Sequence, residues 1–383
     1  MEDRTRGYER GAVTDDALAR AAAPVHDVPA PRAGPAEGIG LCLSGGGYRA
    51  MLFHAGALWR LNELGFLPRL TRVSSVSGGS LAAGVLAARW SRLRFVDGVA
   101  DNFVDKVLAP LRALASRTLD VRAVVLGVLL PGSAANRLAG ALRRHAFGDA
   151  TLQDLPDAPR FVFNATSLQS GALWRLSKPY AWDYRVGELP RPRIPLADAV
   201  AASSAGPPYL SPFVLRLGAL RPGSGEDLQV EPYVSQAVLT DGGVYDNLGL
   251  ETVWKNCATV LVSDAGGKLG PDPDPPHFWV TQMLRVLSVI DNQVRSLRKR
   301  QLIASLRADV RDGTYWGIRS RVADYGLTDA LDFPHDLPHV RTRLARLDDA
   351  TQELLVNWGY VICDTAMRRH VVPAARRPER LPY

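Results

Sequence analysis

The sequence predicts an α/β protein, a three-layer sandwich with a central, mostly parallel sheet and helices on its faces. Two strand–glycine turn–helix units follow one another, over residues 39–64 and 70–90, as parallel α/β folds require. Further apolar runs of strand length, Phe161–Thr166, Ala237–Thr240 and Thr259–Ser263, close in polar residues or run into glycine. Hydrophobic residues make up 46% of the 383, and charged residues 22%, enough apolar material for a large core. Disorder as the main state, collagen and coiled coil are thereby excluded.

Taken in order, residues 1–37 are rich in Ala, Pro, Arg and Asp without a sustained apolar period, and read as a flexible arm. The run Ile39-Gly40-Leu41-Cys42-Leu43-Ser44 is a buried strand that stops at three glycines. Residues 50–64 form a helix, with Leu52, Leu58, Leu61 and Leu64 near helical spacing. Leu70–Val76 is the second strand, Ser77-Gly78-Gly79 its turn, and the Ala/Leu-rich stretch Ser80–Trp90 the following helix. Residues 98–146 read as helical with a break at Pro131-Gly132, and Gly171–Leu176 pairs beside the strand Phe161–Thr166. Leu196–Ser203 is a short helix ending near Gly206-Pro207-Pro208. The strand Ala237–Thr240 runs into Asp241-Gly242-Gly243, Thr259–Ser263 is the last strand, and residues 278–310 form a long, arginine-rich helix. No repeat and no linker divides residues 38–383. The expected organisation is an arm (1–37), a catalytic domain (38–275) and a helical C-terminal part (276–383) packed on the same domain.

The net charge of +7 permits weak attraction to anionic surfaces, but no nucleic-acid recognition motif accompanies it. Three cysteines, Cys42, Cys257 and Cys363, imply no disulfide framework, and Cys42 and Cys257 read as small core residues. The start Met-Glu-Asp-Arg lacks the pattern of a signal peptide, and the longest apolar run, around Ala123–Leu130, is far short of a bilayer span. A cytoplasmic location is the expectation.

Three segments carry chemistry. Ser44-Gly45-Gly46-Gly47-Tyr48-Arg49-Ala50 lies at a strand–helix junction, where free N–H groups favour negative charge as a phosphate cradle or an oxyanion hole. The nucleotide fingerprints fail on spacing: Leu43 stands where a dinucleotide motif needs Gly, and Tyr48-Arg49 where a P-loop needs Gly-Lys-Ser/Thr. Ser75-Val76-Ser77-Gly78-Gly79 resembles a nucleophile elbow, with Ser77 raised above the sheet and the Gly78 N–H directed at an oxyanion; a Ser/Gly-rich helix cap has the same composition. Asp241-Gly242-Gly243 sits where a strand end reaches into a site, though Asp-Gly-Gly is also a common turn. No histidine has the context of a triad base: His54 reads as a packed or surface helix residue, and Pro334 and Pro338 break any zinc pair of His335 and His339.

In order and context these segments resemble the patatin-like phospholipases and their relatives the cytosolic phospholipase A enzymes. Over about residues 38–265, Ser44–Ala50 looks like the family's oxyanion segment, Ser77 falls on its nucleophile and Asp241 on its catalytic aspartate. Asn164-Ala165-Thr166, Ala202–Pro207 and Val244-Tyr245-Asp246-Asn247 resemble supporting segments, while Ser75 stands where most members have Gly. The resemblance implies a patatin-like fold and a Ser–Asp dyad without histidine, metal or cofactor. The implied activity is a lipid acyl hydrolase acting on phospholipid or lysophospholipid at a membrane surface, peripheral to the membrane, with any small-molecule or protein activator unidentified. The N–H groups of Gly45, Gly46, Gly47 and Gly78 would hold the oxyanion. Arg49 either faces a lipid phosphate or pairs with a carboxylate and holds the loop. Val121–Pro131 is either a lid or membrane-docking face, or a buried helix, and the arginines between Arg285 and Arg311 either attract anionic lipid or form a solvated face. The alternatives are an acyltransferase on the same dyad and a catalytically weak lipid-binding regulator on the same fold.

Overall fold

The computed structural model describes residues 37–120, 134–221, 227–267, 269–331, 333 and 337–383. The expected arm up to residue 36 and the apolar stretch Val121–Pro131 lie outside the described residues.

The strands are β1 (Ile39–Leu43), β2 (Leu70–Ser75), β3 (Arg160–Ser167), β4 (Leu173–Ser177), β5 (Tyr180–Asp183), β6 (Gly187–Pro190), β7 (Phe213–Arg216), β8 (Gln236–Asp241), β9 (Thr259–Asp264) and β10 (Asp312–Gly317). They form one sheet in the order β10-β9-β1-β2-β3-β4-β5-β6, with β8 also on β3 and β7 on β8. From β10 to β3 every pairing is parallel, while β4, β5, β6, β7 and β8 join antiparallel. The helices are α1 (Gly47–Glu63), α2 (Gly78–Arg89), α3 (Ala109–Ala115), α4 (Ala134–Leu142), α5 (Leu196–Ser203), α6 (Gly243–Asp246), α7 (Leu250–Trp254), α8 (Trp279–Arg307) and α9 (Asp349–His370).

The strand period of two sorts side chains to two cores. Leu41, Leu43 and Leu261 enter the larger one with α1, α2 and α9, whereas Cys42, Val260 and Val262 face a smaller one closed by Leu250 and Val253 of α7 and Leu302 of α8. This is the three-layer sandwich read from the sequence. Cys42, Cys257 and Cys363 are all buried and free.

The sequence reading stops the strands at Ser263, and the structure corrects it: β10 extends the sheet beyond β9, with Thr259–Asp264 in parallel register against Asp312–Gly317. Two glycines in Asp312-Gly-Thr-Tyr-Trp-Gly disguise that strand as a turn. Residues 98–146 are not uniformly helical either, since Val99–Ala100 pairs with Phe95–Val96 in a small hairpin before the helices begin.

Helix α9 lies on α1, and the two backbones meet at paired glycines. A Cβ on Gly56 would collide with the Val356 carbonyl, and one on Gly359 with the Phe53 carbonyl. Both obstacles are helix backbone, so neither can yield without separating the helices. Gly359→Ala is expected to destabilise the fold by roughly 3 kcal/mol or more despite alanine's better helix propensity. A urea-unfolding midpoint unchanged from the parent would contradict this packing.

Candidate active site

The topology brings Ser77 and Asp241 together along one edge of β3. The first half of that edge pairs with β2, up to Ser75 opposite Phe163. The second half pairs with β8, which arrives from the opposite direction and ends with Asp241 opposite Ala165. Two strands therefore run head-on along β3, and their C-terminal ends stop two β3 residues apart, about 7 Å.

Beyond β2 the chain turns sharply into α2. Ser77 takes φ 51°, ψ −121°, a conformation L-residues rarely adopt, and α2 starts at Gly78. The Ser77 side chain stands close enough to the Asp241 carboxylate to hold its pKa down. Burial lifts the Asp241 pKa from 3.8 to about 6, against hydrogen bonds from the Gly243 N–H and Ser77, and the like charge of Asp291 pushes it the same way as burial. The Gly243 N–H lies 2.7 Å from Asp241 Oδ1.

The elbow is held from below by hydroxyls. Ser75 donates to the Val162 carbonyl (3.3 Å) and accepts from Ser80 (2.9 Å); Ser80 Oγ lies 2.8 Å from Ser203 Oγ, which accepts the Ser77 N–H at 3.2 Å. Serine at position 75 thus fits the turn and bonds it to β3 and α2. Asn164 completes the support: its Nδ2 donates to Ser74 Oγ and to the Ser75 carbonyl, both at 2.9 Å, and its Oδ1 accepts from Thr252 (3.0 Å). Thr166 donates to the Asp241 carbonyl (2.9 Å) and so fixes the end of β8.

The glycine loop closes over the elbow. A Cβ on Gly78 would strike the Gly47 carbonyl, so only glycine lets the start of α2 lie against the start of α1. Gly47 itself has φ 60°. Two helix N-termini converge here, neither with an acidic residue in its first turn, which makes the space favourable to negative charge. Among the described residues, the N–H groups of Gly46, Gly47 and Gly78 have no hydrogen-bond acceptor. The Gly45 N–H differs from the sequence expectation: it donates to the Asn247 carbonyl at 3.0 Å and is already engaged.

Arg49 points away from the site. It is 3% exposed; Nε and Nη2 donate to the Ala265 carbonyl (3.1 and 2.9 Å) and Nη1 to the Val340 carbonyl (2.7 Å). It holds the glycine loop against two distant segments, through carbonyls and not through the expected carboxylate, and does not face a lipid phosphate. His54 is a packed residue: its ring nitrogens lie 2.8 Å from Ser263 Oγ and 2.9 Å from the Ser44 carbonyl, and burial lowers its pKa to about 4. Neighbouring Asp264 is held near 2: burial would raise it, but Lys299 at 2.6 Å, the Gly266 N–H and the Tyr315 hydroxyl outweigh that. Among the described residues no group of His, Cys, Asp and Glu side chains is arranged to hold a metal ion. A cleft of about 460 Å³ lined by Asn136, Arg193, Asp198 and Arg216 holds neither Ser77 nor Asp241.

The sequence profile of the patatin-like phospholipases matches residues 41–254, more than half of the chain, including the glycine loop, Ser77 and Asp241. The chain belongs to the patatin-like phospholipase family. Among solved structures, human GIVD cytosolic phospholipase A2 in complex with methyl gamma-linolenyl fluorophosphonate is 14% identical, with a TM-score of 0.47 over 87% of this chain and 57% of that one. VipD from Legionella pneumophila is 16% identical, with a TM-score of 0.36 over 88% and 67% of the two chains. The type III effector ExoU of Pseudomonas aeruginosa is 14% identical, with a TM-score of 0.33 over 88% and 54%. The chain thus spans little more than half the length of the cytosolic phospholipase A2. No curated protein sequence matches it. Among the described residues, no helix of this patatin-like protein is long and apolar enough to cross a membrane.

Sequence reasoning named Ser77, Asp241 and the glycines of the site. It placed Ser203 in a supporting segment without seeing that its hydroxyl receives the Ser77 N–H, and it gave no role to Asp291, whose charge acts on Asp241 from α8. Neither contact is visible locally, because each acts across more than forty residues of chain.

Proposed function

We propose that the protein is a lipid acyl hydrolase that cleaves carboxylic esters of phospholipids or lysophospholipids through Ser77, Asp241 and an acyl-enzyme. The observation that carries this reading is the pairing itself: a serine in a strained elbow, close beside a buried aspartate whose pKa is lifted to about 6, at two strand ends that meet on one edge of β3. An ordinary carboxylate is a weak base, and burial makes this one stronger without another partner.

Asp241 takes the Ser77 proton as Oγ attacks the acyl carbonyl carbon. The carbonyl oxygen becomes an oxyanion, received by the N–H groups of Gly46, Gly47 and Gly78, each worth about 3–4 kcal/mol in comparable sites. The tetrahedral intermediate collapses, the C–O bond to the leaving alcohol breaks, and the alcohol leaves with the proton from Asp241. A water then attacks the Ser77 ester with Asp241 as base, releasing fatty acid and restoring the serine.

Mass-spectrometric product analysis tests this. Phosphatidylcholine or lysophosphatidylcholine in detergent micelles is expected to yield free fatty acid with the parent chain and none with Ser77→Ala. Acyl ester of an added alcohol in place of fatty acid would assign transfer instead. Turnover of neither lipid under any condition would sink the hydrolase reading.

A further inference from the structure

Half of α8 leaves the body of the protein. Its C-terminal half is docked: Leu302 is buried, Lys299 binds Asp264, and Arg298 binds Glu251 and lies beside Asp246. Its N-terminal half exposes one large apolar residue after another. Trp279 is 66% exposed, Met283 54%, Ile290 53%, and Val286 and Leu287 are each 50%, following Phe278 at 62%. At 100° per residue these helix residues share one side, and with Val280 and Leu284 the apolar arc spans about 160° of the circumference. The remaining side carries Thr281, Gln282, Arg285, Ser288 and Asn292, with the exposed Val289 (42%) as the one apolar residue among them.

This free half rises beside the catalytic serine and aspartate. Helix α8 packs on α6, which starts two residues after Asp241, and the Arg298 guanidinium lies 5.6 Å from the centre of the Tyr245 ring. Asp291, where the free half ends, is near enough for its charge to act on Asp241. Other exposed apolar side chains stand on the same rim: Val244 in α6, and Tyr209, three residues after Gly206, whose Cα faces Asp241.

We propose that residues 278–290 are the element by which the protein docks on a phospholipid membrane, with the apolar arc of α8 seated among the acyl chains next to Ser77 and Asp241. Three features choose lipid over a second protein. The arc is wider than the stripe of about 100° that one packed partner helix covers, whereas lipid surrounds every side. No charge lies on it between Trp279 and Ile290, the only charge there being Arg285 on the polar side. Twelve helical residues rise about 18 Å, too short to cross a hydrocarbon core of about 30 Å and suited to lying in the interface. The purpose of docking rests on the hydrolase reading; docking itself is measured without turnover.

The test uses the full chain carrying Ser77→Ala, so that vesicles stay intact, in flotation with phosphatidylcholine vesicles and with phosphatidylcholine–phosphatidylglycerol vesicles. Flotation with both is expected, and adding Trp279→Ser, Met283→Gln and Leu287→Gln is expected to lower partitioning at least tenfold. All three sites are exposed, so folding is unaffected, which circular dichroism checks. With Ser77 intact, the triple variant should keep its rate on soluble 4-nitrophenyl butyrate and lose at least tenfold on vesicles. Equal flotation of the variant and its parent, or no flotation of either, overturns the proposal. So does a parent dimer that the variant converts to monomer with vesicle binding unchanged, which would assign the arc to a second copy. Flotation of the parent that the triple variant loses, in a protein that hydrolyses no ester, would uphold docking and remove the hydrolase reading alone.

Discussion

Ser77→Ala is expected to lower kcat/KM on a soluble ester by about 10⁴-fold or more, near 5.5 kcal/mol of transition-state stabilisation. The loss follows from one atom. The Oγ is the sole nucleophile in the proposed sequence, and Asp241 has no other proton to accept from the site. Asp241→Asn is expected to cost about 10³–10⁴, because the amide keeps the shape and the bond from Gly243 but has no basicity. The two losses should not add: in the Ser77→Ala background, Asp241→Asn is expected to change the residual rate less than threefold. The fold should withstand all of this. Alanine at φ 51° is as strained as serine, and Ser77→Gly is expected to gain roughly 1 kcal/mol by relieving that strain. Initial rates with 4-nitrophenyl butyrate and urea midpoints check both halves.

Asp241 also sets a pH dependence in which activity and stability oppose each other. Its pKa is about 6 in the folded protein against an ordinary 3.8, chiefly through burial. In the proposed sequence the charged form is the base, so kcat/KM should fall about tenfold per pH unit below about 6. Asp291→Asn removes a like charge facing that carboxylate, and the acid limb should move to lower pH. A limb that stays in place would show that Asp291 does not act on the base. For stability the sign is reversed. A carboxyl raised on folding is fully favourable below pH 3.8, and its contribution is lost as pH rises through about 6. At pH 8 the buried charge costs up to about 3 kcal/mol. Asp241→Asn should therefore melt several degrees higher than the parent at pH 8 and show no such gain at pH 4.

The parallel centre of the sheet was legible because its strands end abruptly in glycine or aspartate. Ser75–Gly79 and Asp241–Gly243 announced their strand ends. That the two ends meet was not legible, because it depends on β8 entering antiparallel on the same edge of β3 as β2. The region from β5 to β7 was missed as strand: Tyr180–Asp183, Gly187–Pro190 and Phe213–Arg216 are each four residues long, too short for a periodic signal. Helix α9 was hidden for another reason. It is buried on nearly every side and includes buried Gln352, Asn357, Asp364 and Arg368, which erase the apolar stripe of a surface helix. Asp364 is paired with Arg60 of α1 and with Arg368, and no local pattern reveals partners so far apart. Arg49 misled for the same reason. Beside a glycine loop it looks like a ligand for phosphate, yet its acceptors lie 216 and 291 residues away.

The central claim is that Ser77 is the nucleophile and Asp241 its base, and it can be read covalently. The full chain is treated with a fluorophosphonate at pH 8, digested, and the modified peptide sequenced by mass spectrometry, with Asp241→Asn in parallel. The account expects the phosphonyl group on Ser77 in the parent and labelling slowed at least a hundredfold in Asp241→Asn. A folded parent that takes no label, label on another residue, or equal rates in both chains would contradict it.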